Sequence, residues 1–121
     1  MNFVRGEDSF VRAQWAARPF VWHIYPTDDG AHWVKMAAFL ARYTAGLERG
    51  PAAAVTAMWE AWNRREGDGP GDGVKPSLQQ AWAGFSACHD ALTLNAWRWC
   101  MELATRRDLA AALVDFVDNA I

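Results

Sequence analysis

The sequence is poor in the residues that mark several functional classes. Its 121 residues include only two cysteines and three histidines, and its formal net charge at neutral pH is −2. Without a basic excess, the chain lacks the positive field that attracts nucleic acid or an anionic membrane surface. No apolar run approaches the roughly 20 residues of a membrane-spanning helix, and the N-terminus lacks the basic and apolar regions of a secretory signal. We therefore expect a cytoplasmic protein that has neither nucleic acid nor a membrane as partner.

The few cysteines and histidines do not form a recognisable metal or redox motif. Cys88 and Cys100 each lie in a helical pattern beside apolar neighbours, which is more typical of buried, reduced thiols than of a disulfide. His89 could join Cys88 in a zinc site, but a fourth ligand and the close spacing of zinc motifs are missing. His23 lies among apolar residues of a predicted strand, where a hydrogen-bonded core histidine is more common than a catalytic base. We expect no metal and no other cofactor.

Apolar residues, by contrast, are abundant. They make up 52% of the chain and include eight tryptophans, so a chain of this size could bury a substantial core. Most of the tryptophans recur at the spacing of helical core positions, which predicts packing rather than stacking on sugars. The prediction applies to Trp59, Trp62, Trp82, Trp97 and Trp99, and to Trp15 and Trp22 as contacts between a helix and a sheet.

The first 26 residues have the pattern of a strand, a helix and a second strand. Residues 2–5 and 20–25 are the predicted strands, which would lie parallel around the single helix. The helix should begin near Asp8 or Ser9, both good N-cap residues, and end before Pro19, which has no N–H to continue it. Two parallel strands cannot cover their own edges and faces, so further structure must complete this sheet.

The start of the first helix is a candidate anion-binding site. Its first N–H groups have no partner within the helix and carry partial positive charge. Arg5 could add a guanidinium and Ser9 a hydroxyl, whereas the carboxylates of Glu7 and Asp8 suit sugar or ribose hydroxyls better than phosphate. A nucleotide sugar offers both kinds of group. The same residues are also a common way to cap a surface helix, and spacing alone does not decide between the two.

The remainder, residues 27–121, is predicted to contain about four to five helices. Helical patterns follow Gly30, open at Pro51 and Ser77, and continue towards the C-terminus. The segment 66–75 is rich in glycine and aspartate, and we expect a flexible loop rather than a phosphate cradle because no P-loop lysine follows. The last helix should carry an apolar stripe of Leu109, Leu113, Phe116 and Val117.

Two dense motifs carry a resemblance to a known family. Residues 5–14, RGEDSFVRAQ, and 18–26, RPFVWHIYP, closely resemble the C-terminal domain of the elongation factor P arginine rhamnosyltransferases, the EarP family. The likeness is looser but still present at residues 30–32 and 37–40. It implies a helix-rich α/β fold that forms the C-terminal portion of a glycosyltransferase B-type, Rossmann-like lobe.

The resemblance also implies an activity and the residues that perform it. The reaction is inverting transfer of L-rhamnose from dTDP-β-L-rhamnose to an arginine guanidinium of elongation factor P. The family positions that contact the donor's diphosphate and sugar are matched here by Arg5, Asp8, Ser9 and Tyr25. Glu7 matches a glutamate needed for activity, whose role is either sugar recognition or support of the reacting guanidinium. Thr27 departs from the family, which usually carries glutamine there, and any contact of that glutamine is in doubt.

A full member of the family is much longer, so the resemblance predicts that this chain is a piece of the enzyme. The aspartates thought to activate the acceptor arginine belong to an N-terminal lobe that is absent here. We therefore expect residues 1–121 to be a partial nucleotide-sugar-binding domain, with the donor-site segment in residues 1–26 and no activity without that lobe. Two alternatives stay open: a non-catalytic, truncated nucleotide-binding remnant, and a helical protein-interaction module.

Overall fold

A computed structural model describes residues 1–65, 74–106 and 109–120 of the chain. Two short strands flank the first helix, and five more helices follow within these residues, so the described part has a helix-rich α/β fold. The elements are β1 (Asn2–Arg5), α1 (Gly6–Trp15), β2 (Phe20–His23), α2 (Ala31–Tyr43), α3 (Arg49–Asn63), α4 (Leu78–Ala87), α5 (His89–Thr105) and α6 (Leu109–Ala120). Most of the loop predicted over 66–75 lies outside the described residues.

The two strands form a parallel sheet around α1, as the sequence predicts. Residues 2–5 pair with 20–23, so Arg5 lies directly beside His23 at the end of the sheet. α1 ends at Trp15, before Pro19 as expected, and the backbone turns away from the helix at Ala17, which has a φ of +53°. β2 is two residues shorter than predicted, since β1 turns into α1 after Arg5 and leaves the next residues of β2 without a partner.

Aromatic side chains form the centre of the core beside the sheet. Trp22 and Trp59 are almost completely buried. Phe10 of α1 stacks on Trp22 with ring centroids 3.9 Å apart, and Phe39 of α2 stacks on Trp59 at 5.5 Å. Each buried aromatic ring removes roughly 150–250 Å² from water, so this cluster is a major apolar contribution to folding. It joins α1, α2 and α3 to β2.

The outer edge of β2 is covered by side chains of α3 rather than by a third strand. Asn63 accepts a hydrogen bond from the Ile24 N–H at 2.9 Å and donates one to the Trp22 carbonyl at 2.8 Å. Trp59 donates its indole N–H to the Phe20 carbonyl at 3.2 Å. These bonds occupy the groups that another strand would need, so the sheet does not extend beyond β2 while α3 is in place.

The opposite edge, that of β1, has no partner strand within the described residues. Phe3 of β1 is 46% exposed and lies beside Trp62 and Trp82, with ring centroids 4.7 and 6.1 Å away. We call these three side chains the aromatic patch. An aromatic patch beside an open strand edge is typical of a surface that pairs with another segment. The described residues therefore leave the sheet incomplete on the β1 side.

The expected packing role of the tryptophans is correct for only some of them. Trp22, Trp59 and Trp99 are buried as expected. Four others are between 37% and 56% exposed: Trp15, Trp62, Trp82 and Trp97. Helical spacing identifies which residues share a face, but it does not show whether another element covers that face. In the described ranges those faces remain partly uncovered.

After β2, the helix boundaries follow the sequence signals with two differences. Ser77 caps α4 through a capping box, in which its hydroxyl accepts from the Gln80 N–H and the Gln80 side chain accepts from the Ser77 N–H. α3 begins at Arg49, two residues before Pro51, which lies in the first turn where its missing N–H costs nothing. The continuous pattern after Ser77 is two helices, because the backbone leaves helical geometry at Cys88.

Both cysteines are free thiols, but they are not fully buried, although the sequence pattern predicts that they are. Cys88 lies at the junction of α4 and α5, and Cys100 lies on α5; each is only partly buried. Cys100 faces the end of α1, where its Sγ lies 3.6 Å from the Trp15 carbonyl oxygen. The thiols therefore lie at helix boundaries and contacts rather than within the aromatic core.

The apolar stripe predicted on the last helix is exposed where the structure describes it. Phe116 and Val117 of α6 are 71% and 51% exposed. The side chains of Leu109 and Leu113 lie outside the described set. Across residues 1–65, 74–106 and 109–120, no helix has both the length and the apolar character that crossing a membrane demands.

The contacts of Asn63 predict a large effect from a small substitution. Replacement Asn63→Ala should destabilise the chain by about 2–4 kcal/mol, because it leaves the buried Ile24 N–H and the Trp22 carbonyl without their side-chain partner. Asn63→Asp should cost at least as much, since it keeps the acceptor for Ile24 but places an oxygen against two carbonyls. Chemical denaturation measures both, with the exposed Asn119→Ala as matched control. Wild-type stability of Asn63→Asp would contradict this account of the β2 edge.

Candidate functional site

The turn from β1 into α1 is made by Gly6. Its φ of +77° is strained for residues that carry a side chain, so the glycine allows the strand to pass directly into the helix. α1 therefore begins at Gly6, and the expectation that Asp8 or Ser9 caps it is wrong. Arg5 is the N-cap residue, and no side chain makes the capping hydrogen bond.

Arg5 and Tyr25 meet above this turn. The guanidinium carbon of Arg5 lies 5.5 Å from the centre of the Tyr25 ring, within the range of a cation–π contact. Gly6 is needed here for a second reason, because a Cβ at this position would lie 3.1 Å from the Tyr25 hydroxyl oxygen. Trp22 donates its indole N–H to the Gly6 carbonyl at 3.0 Å and holds the turn against β2. Both Arg5 and Tyr25 are exposed to solvent.

Glu7 is held by an ion pair that the sequence did not predict. Its carboxylate lies 2.8 Å from Nζ of Lys35, which reaches across from α2. The hydrogen bond from Lys35 and its positive charge lower the pKa of Glu7 below its usual value. Glu7 is therefore ionised at neutral pH, and one face of its carboxylate remains exposed. Lys35 lies 28 residues from Glu7, so no local signal indicates the pair.

Asp8 and Ser9 follow Glu7 in the first turns of α1, and both are exposed. Within the described contacts, no hydrogen bond or ion pair joins either residue to Arg5 or Tyr25. The structure thus brings the guanidinium and the phenol together and leaves the hydroxyl and the second carboxylate on the adjoining helix surface. The first-turn N–H groups of α1 have no partner within the helix and receive no side-chain cap from Arg5.

Thr27, the position that departs from the family pattern, has a structural role here. Its N–H donates a hydrogen bond to Nδ1 of His32 at 3.0 Å, and its hydroxyl oxygen accepts one from the His32 N–H at 3.2 Å. His32 is nearly buried at the start of α2. These bonds shape the loop that leaves Tyr25. Threonine therefore fixes the loop locally, and no sequence pattern indicates this network.

His23 does not match the expectation of a hydrogen-bonded core histidine. Its Nδ1 atom is buried and has no hydrogen-bond partner among the described residues. Burial is the main cause that lowers the pKa of His23 below 6.5, and the charges of Arg5 and Arg65 lower it further. The imidazole is consequently neutral at neutral pH. Its place beside Arg5 in the sheet puts it at the edge of the candidate site.

The candidate site is an open surface rather than a closed cavity. A cavity of about 610 Å³ lies between α2 and α3, where Trp33, Met36 and Leu40 form its apolar wall. None of the predicted site residues lines it, or lines three smaller cavities of about 320, 380 and 390 Å³ elsewhere among the described residues. In the same part of the chain, no group of three or more histidine, cysteine, aspartate or glutamate side chains could hold a metal ion.

Comparison with known proteins relates this surface to one family. The family model described as Elongation-Factor P (EF-P) rhamnosyltransferase EarP matches residues 1–118. The protein-arginine rhamnosyltransferase of Pseudomonas putida is 44% identical over 120 residues, a match that covers 99% of this chain and 29% of that protein. The protein of the same description from Shewanella oneidensis is 38% identical over 120 residues and is covered to 28%. The chain thus spans less than a third of the length of these curated relatives.

A solved structure extends the likeness to three dimensions. It is described as the structural basis for EarP-mediated arginine glycosylation of translation elongation factor EF-P. The TM-score is 0.74 at 40% sequence identity, and the match covers 99% of this chain and 34% of that one. The fold class expected from the sequence, a helix-rich α/β portion of a glycosyltransferase B-type lobe, is therefore confirmed. On these matches, the chain belongs to the EarP family of elongation factor P rhamnosyltransferases.

Proposed function

We propose that this chain is the donor-binding portion of an inverting protein-arginine rhamnosyltransferase. The enzyme would transfer L-rhamnose from dTDP-rhamnose to an arginine of elongation factor P, without a metal or other cofactor. The observation that carries the proposal is the 44% identity, over 99% of the chain, to the protein-arginine rhamnosyltransferase of Pseudomonas putida. Because that match covers only 29% of the relative, activity would require a second part, the N-terminal lobe.

Stabilisation of the leaving diphosphate is the step that these residues suit best. When the glycosidic bond breaks, negative charge accumulates on the diphosphate, so donors fixed nearby bind it more strongly in the transition state than before. The exposed guanidinium of Arg5 and the hydroxyl of Tyr25 lie together at the strand end. The first-turn N–H groups of α1 add partial positive charge beside them. Ser9 offers a hydroxyl on the next turn of the helix.

The two carboxylates of the first turn have a different task in this proposal. An ionised carboxylate accepts hydrogen bonds from hydroxyl groups but repels phosphate. Glu7, kept ionised by Lys35, and Asp8 therefore face hydroxyls of the sugar or the ribose rather than the diphosphate. For Glu7 the alternative role, support of the acceptor guanidinium, is equally consistent with its charge.

Two surfaces of the described residues support the need for a second part. The edge of β1 is open and lies beside the aromatic patch, whereas α3 covers the edge of β2. The donor-site residues are likewise exposed and lack a facing wall within the described ranges. A cleft between two lobes would supply both a partner for the sheet and the opposite side of the site.

One observation favours the second candidate function, a helical protein-interaction module. α5 and α6 expose several large apolar side chains, which is unusual for a helix pair that contacts only water. Those that are at least 46% exposed are Leu94, Trp97, Met101, Val114, Phe116 and Val117. A module of this kind would fold cooperatively alone and be indifferent to dTDP.

Calorimetric titration of dTDP-rhamnose separates these functions. We would titrate the donor into this chain alone and into the chain mixed with the part of the Pseudomonas putida relative that it does not match. Donor binding together with rhamnosylation of elongation factor P by the mixture supports the proposal. Binding without transfer points to a non-catalytic remnant. A cooperatively folded chain that ignores dTDP-rhamnose in both settings points to the interaction module.

Substitution of the two clustered donors should lower donor use without unfolding the chain. Arg5→Ala and Tyr25→Phe each remove one group that would stabilise the departing diphosphate, and losing one such donor costs on the order of 2–4 kcal/mol of barrier, or about 10²-fold in kcat. Rhamnosyl transfer by the mixture measures the loss. Arg12→Ala, on the exposed far end of α1, is the matched control and should retain activity. Wild-type turnover by both site variants would count against the assignment.

The Glu7–Lys35 pair predicts a change in the pH dependence of transfer. Lys35→Met removes the cause that lowers the pKa of Glu7, so that pKa should rise towards its ordinary value. If activity needs the carboxylate ionised, the acid limb of the kcat/KM profile moves to higher pH, while the activity at pH 8 changes little. Thermal unfolding should be almost unchanged, because both side chains are exposed. An acid limb that stays in place would exclude this role for Lys35.

A further inference from the structure

At the end of the sheet, His23 has an unpaired ring nitrogen and no role in the reaction proposed above. Buried polar atoms in proteins are nearly always hydrogen-bonded, so an exception calls for a physical reason. Nδ1 of His23 is buried without a partner among the described residues, while the residue as a whole is partly exposed. In the sheet register it lies beside Arg5, at the end where the donor site would form.

The charges that face His23 come from two elements. Arg5 approaches from β1 and Arg65 from the segment after α3, and both act in the same direction as burial by lowering the pKa of the imidazole. No carboxylate in the described part of the chain contributes to that pKa. Protonation of His23 is therefore opposed while the site is empty, because it would add a third positive charge to a partly desolvated place.

A bound diphosphate reverses this balance. The diphosphate of a nucleotide sugar carries two negative charges, and the departing nucleoside diphosphate carries a third once it is fully ionised. Negative charge beside Arg5 offsets the repulsion between the guanidinium and a protonated imidazole. It also offers acceptor oxygens to a protonated imidazole, both of whose ring nitrogens donate.

We propose that His23 is a proton-linked positioning residue of the donor site, neutral when the site is empty and protonated when a nucleoside diphosphate lies beside Arg5. The inference rests on the proposed function, since it needs a diphosphate at that position. As the glycosidic bond breaks, its electron pair stays on the diphosphate oxygen, and the proton that His23 gains comes from solvent. His23 does not contact the reacting carbon; its positive charge beside that of Arg5 holds the leaving diphosphate in place.

Proton uptake on binding tests this role directly. We would titrate dTDP into the chain at pH 6, 7 and 8, in buffers of different ionisation enthalpy, for the wild type, His23→Asn and the exposed control His89→Asn. The wild type and His89→Asn should take up more protons than His23→Asn. Their gain in affinity from pH 8 to pH 6 should exceed that of His23→Asn by roughly three- to tenfold, because a pKa rise of one unit gives its full tenfold factor only below both the free and the bound pKa.

Proton uptake by the nucleotide itself cancels when variants are compared, because its phosphate groups are the same in every experiment. NMR of the imidazole in the wild-type chain gives a second readout that needs no variant: the pKa of His23 should rise when dTDP is added. Equal proton uptake by wild type and His23→Asn, with a constant His23 pKa, overturns the inference and leaves the proposed function standing. Failure of the wild-type chain to bind dTDP, both alone and mixed with the part of the Pseudomonas putida relative that it does not match, overturns both.

Discussion

The turn at Gly6 governs the rest of the candidate site, because it decides where β1 stops and how α1 points. A positive φ lets the chain enter the helix at once, and the absence of a Cβ lets the Tyr25 ring lie against the turn. The indole of Trp22 bonds the Gly6 carbonyl from the neighbouring strand and ties this geometry to the buried aromatic core. The contact between Arg5 and Tyr25 follows from these constraints. The backbone of the turn is therefore anchored to the buried core.

The two edges of the sheet differ in whether their backbone groups have hydrogen-bond partners. On the β2 side, Trp59 and Asn63 satisfy the outward backbone groups, so α3 replaces a strand. On the β1 side, the open edge and the aromatic patch remain uncovered in the described ranges. This chain spans less than a third of the length of its curated relatives. Within the described residues, its sheet is covered at the β2 edge and open at the β1 edge. The open flank adjoins the strand end that carries Arg5.

Positively and negatively charged side chains occupy separate positions at the same strand end. Arg5 and Arg65 surround the neutral His23, while Glu7 and Asp8 lie on the first turn of α1. Lys35 neutralises much of the field of Glu7 and keeps it ionised. A ligand with a diphosphate and hydroxyl groups meets both kinds of side chain within one surface. A free anion would meet the carboxylates as well, which is one reason that we propose a nucleotide sugar rather than phosphate as the ligand.

The sequence by itself determined the strand–helix–strand order, the end of α1 before Pro19, the cap at Ser77 and the motif that marks the family. These signals are local, since each depends on a few neighbouring residues and their backbone preferences. Tertiary structure alone decided that Gly6 and not Asp8 opens α1, that Lys35 pairs with Glu7, that Asn63 closes β2, and that Trp97 stays exposed. Those outcomes depend on how distant helices pack against one short sheet, and spacing along the chain does not encode which face finds a partner.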